Sequence, residues 1–501
     1  MKRAILLIAV IFTIGSNGFA QDQSASAVKP LGLPECVDIA LKNNLRVRRG
    51  IYNVENYKIS AFQAKMNFLP SITGGASYGF NYGRSINPVS NQYINRQLNS
   101  INGQLNGNWL LFNGLRVTNT FRQSKLDVAA ADEDLQKAKN DVIINVVTLY
   151  INVIFNKELL ETNKYQLSSG QQQLERISRQ VEAGSLPKSN QLTQEAQVAT
   201  FEVNVINQEN ALNLSLLQLK QAMQIPASEP LDVIVPELEL ENLILDATPD
   251  DIYAQSVKTM PEIRSAMLKV QSAQLALKAA KGNLYPRLSF NASAFSNYSS
   301  ASRDVNNSGV IRQDAVSVPP GATQPVGYAA VGTTPAIISG QPVTIYPIIY
   351  QNIYANPDDK YTEREQLKDN LAKNFSFQLQ IPIFNNWTNR AQVQRAAVQN
   401  ELARISEIET QNTLRQTIET AYNDANAASK TYAANLKQVN AREEAYRMVL
   451  KRFEIGAANF VEKQIAENDL FQSKSDLTRA KYNFIFRKKI LDFYQGKPIE
   501  Y

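Results

Sequence analysis

The chain has 501 residues, with 52 basic and 46 acidic side chains for a formal charge of +6, one cysteine and no histidine. Without imidazole, histidine triads, histidine metal sites and imidazole proton shuttles are excluded, and the lone Cys36 can form no internal disulfide and reads as a small buried apolar residue. No phosphate loop, dinucleotide glycine pattern or metal-ligand spacing occurs, and the charges are spread in mixed sign, so no catalytic residue, cofactor, metal or nucleic-acid partner is expected.

Residues 1–20 read as a signal peptide. Lys2 and Arg3 precede an apolar run from Ala4 to Ile14, and the small Gly18 and Ala20 stand at a cleavage site. The run is short of the roughly twenty residues that span a bilayer, so the mature chain is expected to begin at Gln21 and be exported. No later stretch is expected to span as a helix.

Residues 21–224 form a first repeat: a helix, two strands and a long helical hairpin. The strands are expected at about 71–82 and 101–112 because apolar and polar residues alternate there with period two. One face carries Ile72, Gly74, Ala76, Tyr78, Phe80 and Tyr82 in the first strand, and Ile101, Gly103, Leu105, Gly107, Trp109 and Leu111 in the second. No proline interrupts Val89 to Leu186, and between Gly114 and Gly282 the only glycines are Gly170 and Gly184. A helix from about Arg116 to Ala183, about 100 Å long at 1.5 Å per residue, should therefore turn at Gly184. Residues 225–250 are proline-broken and extended, a connector that packs outside the helices, in the equatorial region.

Residues 251–501 repeat the pattern, with strands at about 287–298 and 374–384 separated by a long proline-rich loop at about 299–371. Leu288, Phe290, Ala292, Ala294 and Tyr298 share a face of the third strand; Phe375, Phe377, Leu379, Ile381 and Ile383 share one of the fourth. Pro382 has no amide hydrogen for a ladder and should lie at the strand's end. A second long helix, from about Asn389 to Ile455, should turn at Gly456. Its Leu414, Ile418, Ala421, Ala425, Ala428 and Tyr432 step by four and three, the spacing of a coiled-coil seam. The repeats align by counting: Pro70 falls on Pro286 (286 − 70 = 216) and Phe112 on Phe384 (384 − 112 = 272). After that Tyr150 meets Tyr422, Gly184 meets Gly456 and Glu195 meets Glu467.

All four strands set an apolar face against one of Thr, Ser, Asn, Gln and Gly, as outer-membrane barrel strands do. Four strands cannot close a membrane barrel, and an open edge in lipid leaves backbone groups unpaired, so the barrel must be shared between chains. A soluble sandwich also alternates, but the chain supplies no second sheet to cover these faces.

The signal peptide, the duplicated helix-strand-strand-helix halves and the two glycine-marked hairpins together resemble the TolC family of outer-membrane efflux proteins. The likeness is carried by LPECVDIALKNNLRVR, the junctions FNGLR and FNNWTNR, and the tips RQVEAGSLPKSNQLTQEAQ and KRFEIGAANFVEKQIAENDL. It implies a mainly α fold with membrane β: a homotrimeric 12-stranded β-barrel in outer-membrane lipid, four strands per chain, continued by a long α-helical barrel of coiled-coil hairpins in the periplasm. It implies a passive duct, not an enzyme, of a tripartite efflux or type I secretion system. The partners would be a periplasmic adaptor and an inner-membrane transporter of RND or ABC type.

The resemblance also places a periplasmic gate at Asn190, Phe453, Ala458, Glu462 and Ile465, and adaptor-contact tips at Gly184, Ser185, Leu186, Pro187, Gly456 and Ala457. Asn190, Ala458 and Ile465 stand where well-known members carry an acid, a base and an acid, so closure here would rest on packing rather than a charged lock. Three copies of Glu462 around an axis would repel one another and favour cations; the same residue also reads as a solvent-facing helix carboxylate. An elongated periplasmic coiled-coil scaffold or adaptor without a membrane barrel is the second reading, opposed by the four amphipathic strands. A diffusion porin would not need helices about 100 Å long.

Overall fold

The computed structural model describes residues 30–86, 93–95, 97–235, 245, 247–300, 302, 308–313, 316–318, 334–346, 349–354 and 361–497; the expected signal peptide lies outside them. The chain divides into two compact units, one of residues 1–60, 124–273 and 399–501, the other of residues 61–123 and 274–398. In chain order the elements are α1 (Leu33–Asn43), α2 (Leu45–Met66), β1 (Ser71–Asn81), β2 (Arg84–Ile86), β3 (Tyr93–Asn95), β4 (Leu98–Asn113), α3 (Arg116–Glu182) and α4 (Lys188–Met223). Then follow α5 (Pro249–Thr259), α6 (Pro261–Gly282), β5 (Arg287–Ser299), β6 (Ser308–Gln313), β7 (Val316–Val318), β8 (Thr334–Ile338), β9 (Gln341–Tyr346), β10 (Ile349–Tyr354), α7 (Glu363–Asp369), β11 (Ala372–Gln380), α8 (Thr388–Glu454) and α9 (Phe460–Tyr494).

The first unit is helical. Leu33, Cys36 and Ala40 on one face of α1 bury against Val146, Tyr150 and Ile154 of α3, Leu219 and Met223 of α4, and Tyr482 and Ile485 of α9. By length and composition α3 could cross a membrane. Within that stretch Val146, Val153 and Ile154 are 0–2% exposed, packed in the helical core. The connector is pinned to this core. Leu31 bridges Val233 in parallel, the Tyr150 hydroxyl donates to the Ile234 carbonyl at 2.8 Å, and Lys157 pairs with Asp232 at 2.7 Å. Burial first, together with nearby negative charge, pushes the Tyr150 hydroxyl up to about 12. A second core joins Ile252, Met260 and Ile263 to Leu414, Ile418, Ala425 and Leu491.

The duplication is visible in the backbone. Asn44 and Met260, 216 residues apart, both interrupt a helix with extended geometry, at ψ 126° and 128°. Gly114 and Leu115 hold φ of 64° and 63°, and their counterparts 272 residues on, Asn386 and Trp387, hold 51° and 65°. Two consecutive left-handed residues thus follow β4 and β11 and lead each into its long helix. In the first junction a Cβ on Gly114 would be driven into the Gly282 carbonyl, and one on Gly282 would lie 2.9 Å from the Gly114 carbonyl oxygen. Only two glycines allow this contact.

The second unit holds an antiparallel sheet in the order β1-β4-β5-β11. Its register puts Ile72 opposite Gly107, Leu105 opposite Ala294, Trp109 opposite Phe290, and Phe290 opposite Phe377. The apolar faces read from the sequence therefore merge into one surface across four strands. That surface is solvent-accessible in the single chain: Ile72, Phe375 and Phe377 are 69–71% exposed. The opposite face is lined by Thr73, Asn106, Asn291, Asn374 and their neighbours.

Three expectations need correction. The β4 register slips between Leu110 and Phe112, so Phe112, not Leu111, faces Leu288 on the apolar side; an extra bulged residue reverses the alternation beyond it. The fourth strand ends at Gln380, leaving Ile381 and Ile383 past its end, because Pro382 cannot extend the ladder. The expected loop at 299–371 contains paired strands, β6 with β10 and β9 between β7 and β8, and the helix α7. Its prolines are compatible with this: Pro335 lies in an outer strand and Pro342 is the second residue of β9. Gln366 of α7, 1% exposed, accepts from the Ser299 amide at 3.0 Å and closes the end of β5.

Crowding separates two glycines that share a left-handed φ. Gly184→Ala, with no atom within 4 Å of the added methyl group, should cost only the left-handed penalty of about 1–2 kcal/mol. Gly114→Ala adds overpacking of about 1–3 kcal/mol. Equal losses in chemical denaturation would show that the Gly114–Gly282 contact is not tight.

Candidate functional site

The two helical turns are built alike. After α3, the Gly184 amide donates to Val181 at 3.0 Å and the Ser185 amide to Gln180 at 2.9 Å, with Gly184 at φ 72°. After α8, the Gly456 amide donates to Phe453 at 3.1 Å and the Ala457 amide to Arg452 at 2.7 Å, with Gly456 at φ 77°. Each is a helix terminus of the Schellman kind, in which the left-handed residue lets two amides satisfy the last carbonyls. No atom lies within 4 Å of a Cβ placed on either glycine, and both turns present small side chains to solvent. Pro187 caps α4 from the position before its first turn, with φ −65° and ψ 146°.

The second turn carries a polar brace. Asn459 caps α9 by accepting from the Glu462 amide at 2.8 Å, and its Nδ2 donates to Glu462 Oε1 at 3.1 Å. Arg452 donates to the Ala457 carbonyl at 3.0 Å and lies 3.5 Å from Glu462 Oε2. Within one chain, Glu462 is thus the acid of a helix N-terminus and the partner of an arginine, two stabilising roles for a carboxylate in a first turn.

The five expected gate positions do not converge in one chain. Phe453 packs 6.5 Å from Phe460, Glu462 is held by its own hairpin, and Ile465 is 57% exposed. Asn190 lies in the first turn of α4, its amide donating to the Pro187 carbonyl at 3.1 Å. Among the described residues no hydrogen bond or ion pair joins Asn190 to Phe453, Ala458, Glu462 or Ile465.

What ties the hairpins together near their tips is a buried polar cluster that the sequence reading missed. Lys463, 6% exposed, donates from Nζ to Gln173 Oε1 of α3 at 2.6 Å. Glu467 Oε2 stands 3.8 Å away and the Phe453 ring 5.7 Å. Beside it, Gln464 reaches Gln194 of α4 at 3.4 Å, and Gln194 in turn donates to the Gly170 carbonyl at 3.1 Å. Burial holds the Lys463 ammonium below its ordinary pKa, against the opposing pull of Glu467. Burial likewise pushes Tyr446 up to about 12, with Glu467 adding to the rise. The one sequence signal was Lys463 four residues before Glu467; the decisive partner, Gln173, is 290 residues distant.

The family model described as "Outer membrane efflux protein" matches residues 36–223 and 354–488. The outer membrane efflux protein BepC of Brucella suis biovar 1 is 21% identical over 486 residues, 96% of this chain and 86% of that protein. The toluene efflux pump outer membrane protein TtgI of Pseudomonas putida is 27% identical over 311 residues, 60% of this chain and 62% of that protein. Among solved structures, the outer membrane protein VceC of Vibrio cholerae superposes with a TM-score of 0.67 at 12% identity, covering 93% of this chain and 97% of that one.

The Lys463 cluster has a defined energetic signature. Lys463→Met should be near neutral, since an apolar side chain replaces a buried charge, whereas Gln173→Leu strands that charge and should cost about 1–3 kcal/mol. Because folding lowers the Lys463 pKa, the neutral form favours the native state. Wild-type stability relative to Lys463→Met should therefore rise as pH climbs toward the ordinary value of 10.5 and fall as pH drops. A pH-independent difference in denaturation midpoints would contradict the assignment.

Proposed function

Because the chain belongs to the outer membrane efflux protein family, we propose that three copies assemble into a passive export duct that receives cargo from a periplasmic adaptor and an inner-membrane transporter. The protein resides in the outer membrane with its helices in the periplasm, and it works as a channel of an efflux or type I secretion system. The transporter, of RND or ABC type, supplies the direction of transport.

The observation that carries this reading is the sheet. Its apolar face runs across four strands with no covering layer among the described residues, and there its outer strands β1 and β11 keep unpaired edges. Soluble sheets blunt such edges with charge or proline; β1 has neither, and β11 has only Lys373. Lipid would solvate the face, and pairing β1 of one copy with β11 of the next would satisfy the edges, giving twelve strands from three chains. The halves at 21–224 and 251–501, joined by the connector at 225–250, would each contribute two strands and one hairpin.

At the far end, Gly184, Ser185, Leu186, Pro187, Gly456 and Ala457 would form the surface that an adaptor approaches. Asn190, Phe453, Ala458 and Ile465 would line the closing end by packing alone. Glu462 would brace its own turn through Arg452.

Two substitutions on adjacent residues test the membrane reading. Phe377→Lys puts a cation on the lipid face at a cost of about 2–4 kcal/mol near the bilayer midplane, and should sharply reduce outer-membrane trimer. Ser376→Lys points the other way and should assemble and conduct in planar bilayers. Equal behaviour of the two would contradict the assignment of faces. For the tips, Ala457→Trp should leave trimer and conductance intact but abolish adaptor-dependent efflux; undiminished efflux would remove the tip from the contact surface.

A further inference from the structure

The polar face of the four-stranded sheet is lined by amides and hydroxyls, with Thr73, Asn102, Gln104, Asn106, Asn291 and Gln378 among them. Arg287 is its one charged side chain among the described residues of the ladder. It stands opposite Asn113 on one side and Gln380 on the other, at the end of the sheet where β4 and β11 give way to helices.

There a cavity of about 490 Å³ opens between the strand ends and the first turns of α3 and α8. Arg287 and Arg116 both line it, and no acidic residue does. Neither guanidinium has an ion-pair partner among the described residues.

The rest of the wall offers further donors. Asn113, 8% exposed, uses its Oδ1 to accept from the Val117 amide at 3.4 Å at the start of α3. Its Nδ2 is left buried with no acceptor among the described residues, an unfavourable arrangement for a polar group. The first turn of α3 adds the positive end of a helix 67 residues long. Two arginines without ion-pair partners among the described residues, the Asn113 side chain and the start of a helix thus line one cavity, with no acidic residue in the lining. Like charges lining one cavity favour an anion between them, and guanidinium groups match the oxygens of phosphate and carboxylate groups.

We propose that this junction is an anion-binding site for a phosphate or carboxylate group, with Arg116 and Arg287 as its principal ligands. Arg287 shares its face with Ser289 and Asn291 and lies opposite the apolar surface, so the anion arrives from the polar side: a free anion or an anionic group on cargo, not the headgroup of a surrounding lipid. In the threefold assembly of the proposed function, on which this last step rests, three such sites ring the passage and favour anions there.

The test uses the purified full-length protein in neutral detergent, with thermal unfolding followed in inorganic phosphate and in chloride at matched ionic strength. Phosphate should raise the midpoint saturably in the wild type. Arg116→Gln/Arg287→Gln should lose that shift, while Arg116→Lys/Arg287→Lys, which keeps the charges, should retain a weaker one. Equal shifts in the wild type and the Gln variant would overturn the site. Anionic phosphatidylglycerol micelles should not compete with phosphate for the site; competition would overturn its assignment to the polar side. Reversal potentials across planar bilayers should show lower anion preference in the Gln variant, and an unchanged preference would overturn the ring. Binding needs no conductance, so a phosphate site in a protein that forms no pore would refute the duct alone.

Discussion

A β-sheet with one greasy face must find a medium for that face and a partner for each edge, and the described residues of this chain supply neither. Ile72, Trp109, Phe290, Phe375 and Phe377 lie on a common surface because the antiparallel register aligns them. No helix among the described residues covers that surface, and Phe377 is 71% exposed. The helices show a milder version of the same incompleteness. On α4, Leu192, Val203, Ile206 and Leu214 are exposed and fall on one stripe at 100° per residue. The proposed association of copies would answer both needs, with the sheets closing in lipid and the helices against one another.

Changing a membrane strand into a long helix within two residues is the second demand on the sequence. Both junctions meet it with consecutive left-handed residues, which branched or bulky side chains resist. Gly114 makes the first junction inexpensive and lets the chain touch Gly282. The second keeps Asn386 and Trp387 in the same conformation, and Arg390 stacks over the Trp387 ring at 4.7 Å. The cavity with Arg116 and Arg287 is a consequence of this geometry, since the turn separates strand ends from helix starts and lines the gap with donors.

Much of the architecture was legible because it depends on period and punctuation. A strand whose alternate residues are Phe375, Phe377 and Leu379 has two unlike faces in any setting, and a glycine at 184 or 456 within a long helical run marks a turn. The bulge at Leu111 was illegible because one extra residue leaves composition unchanged while reversing the faces beyond it. The strands within 299–371 were hidden by their prolines, which are tolerated at strand starts and in outer strands. Gate positions transferred by counting identified residues near the tips, but counting cannot say what meets what. Lys463 and Gln173 are polar residues on polar-looking helices, and only the packing of α9 against α3 buries them together. Arg116 and Arg287 each look like ordinary surface cations until the fold places them around one cavity.

The central claim is that separate copies complete the sheet, and the molar mass of the purified full chain in detergent tests it most directly. Light scattering corrected for bound detergent should give three chains per particle. A stable single chain that remains dispersed in water without detergent would contradict it.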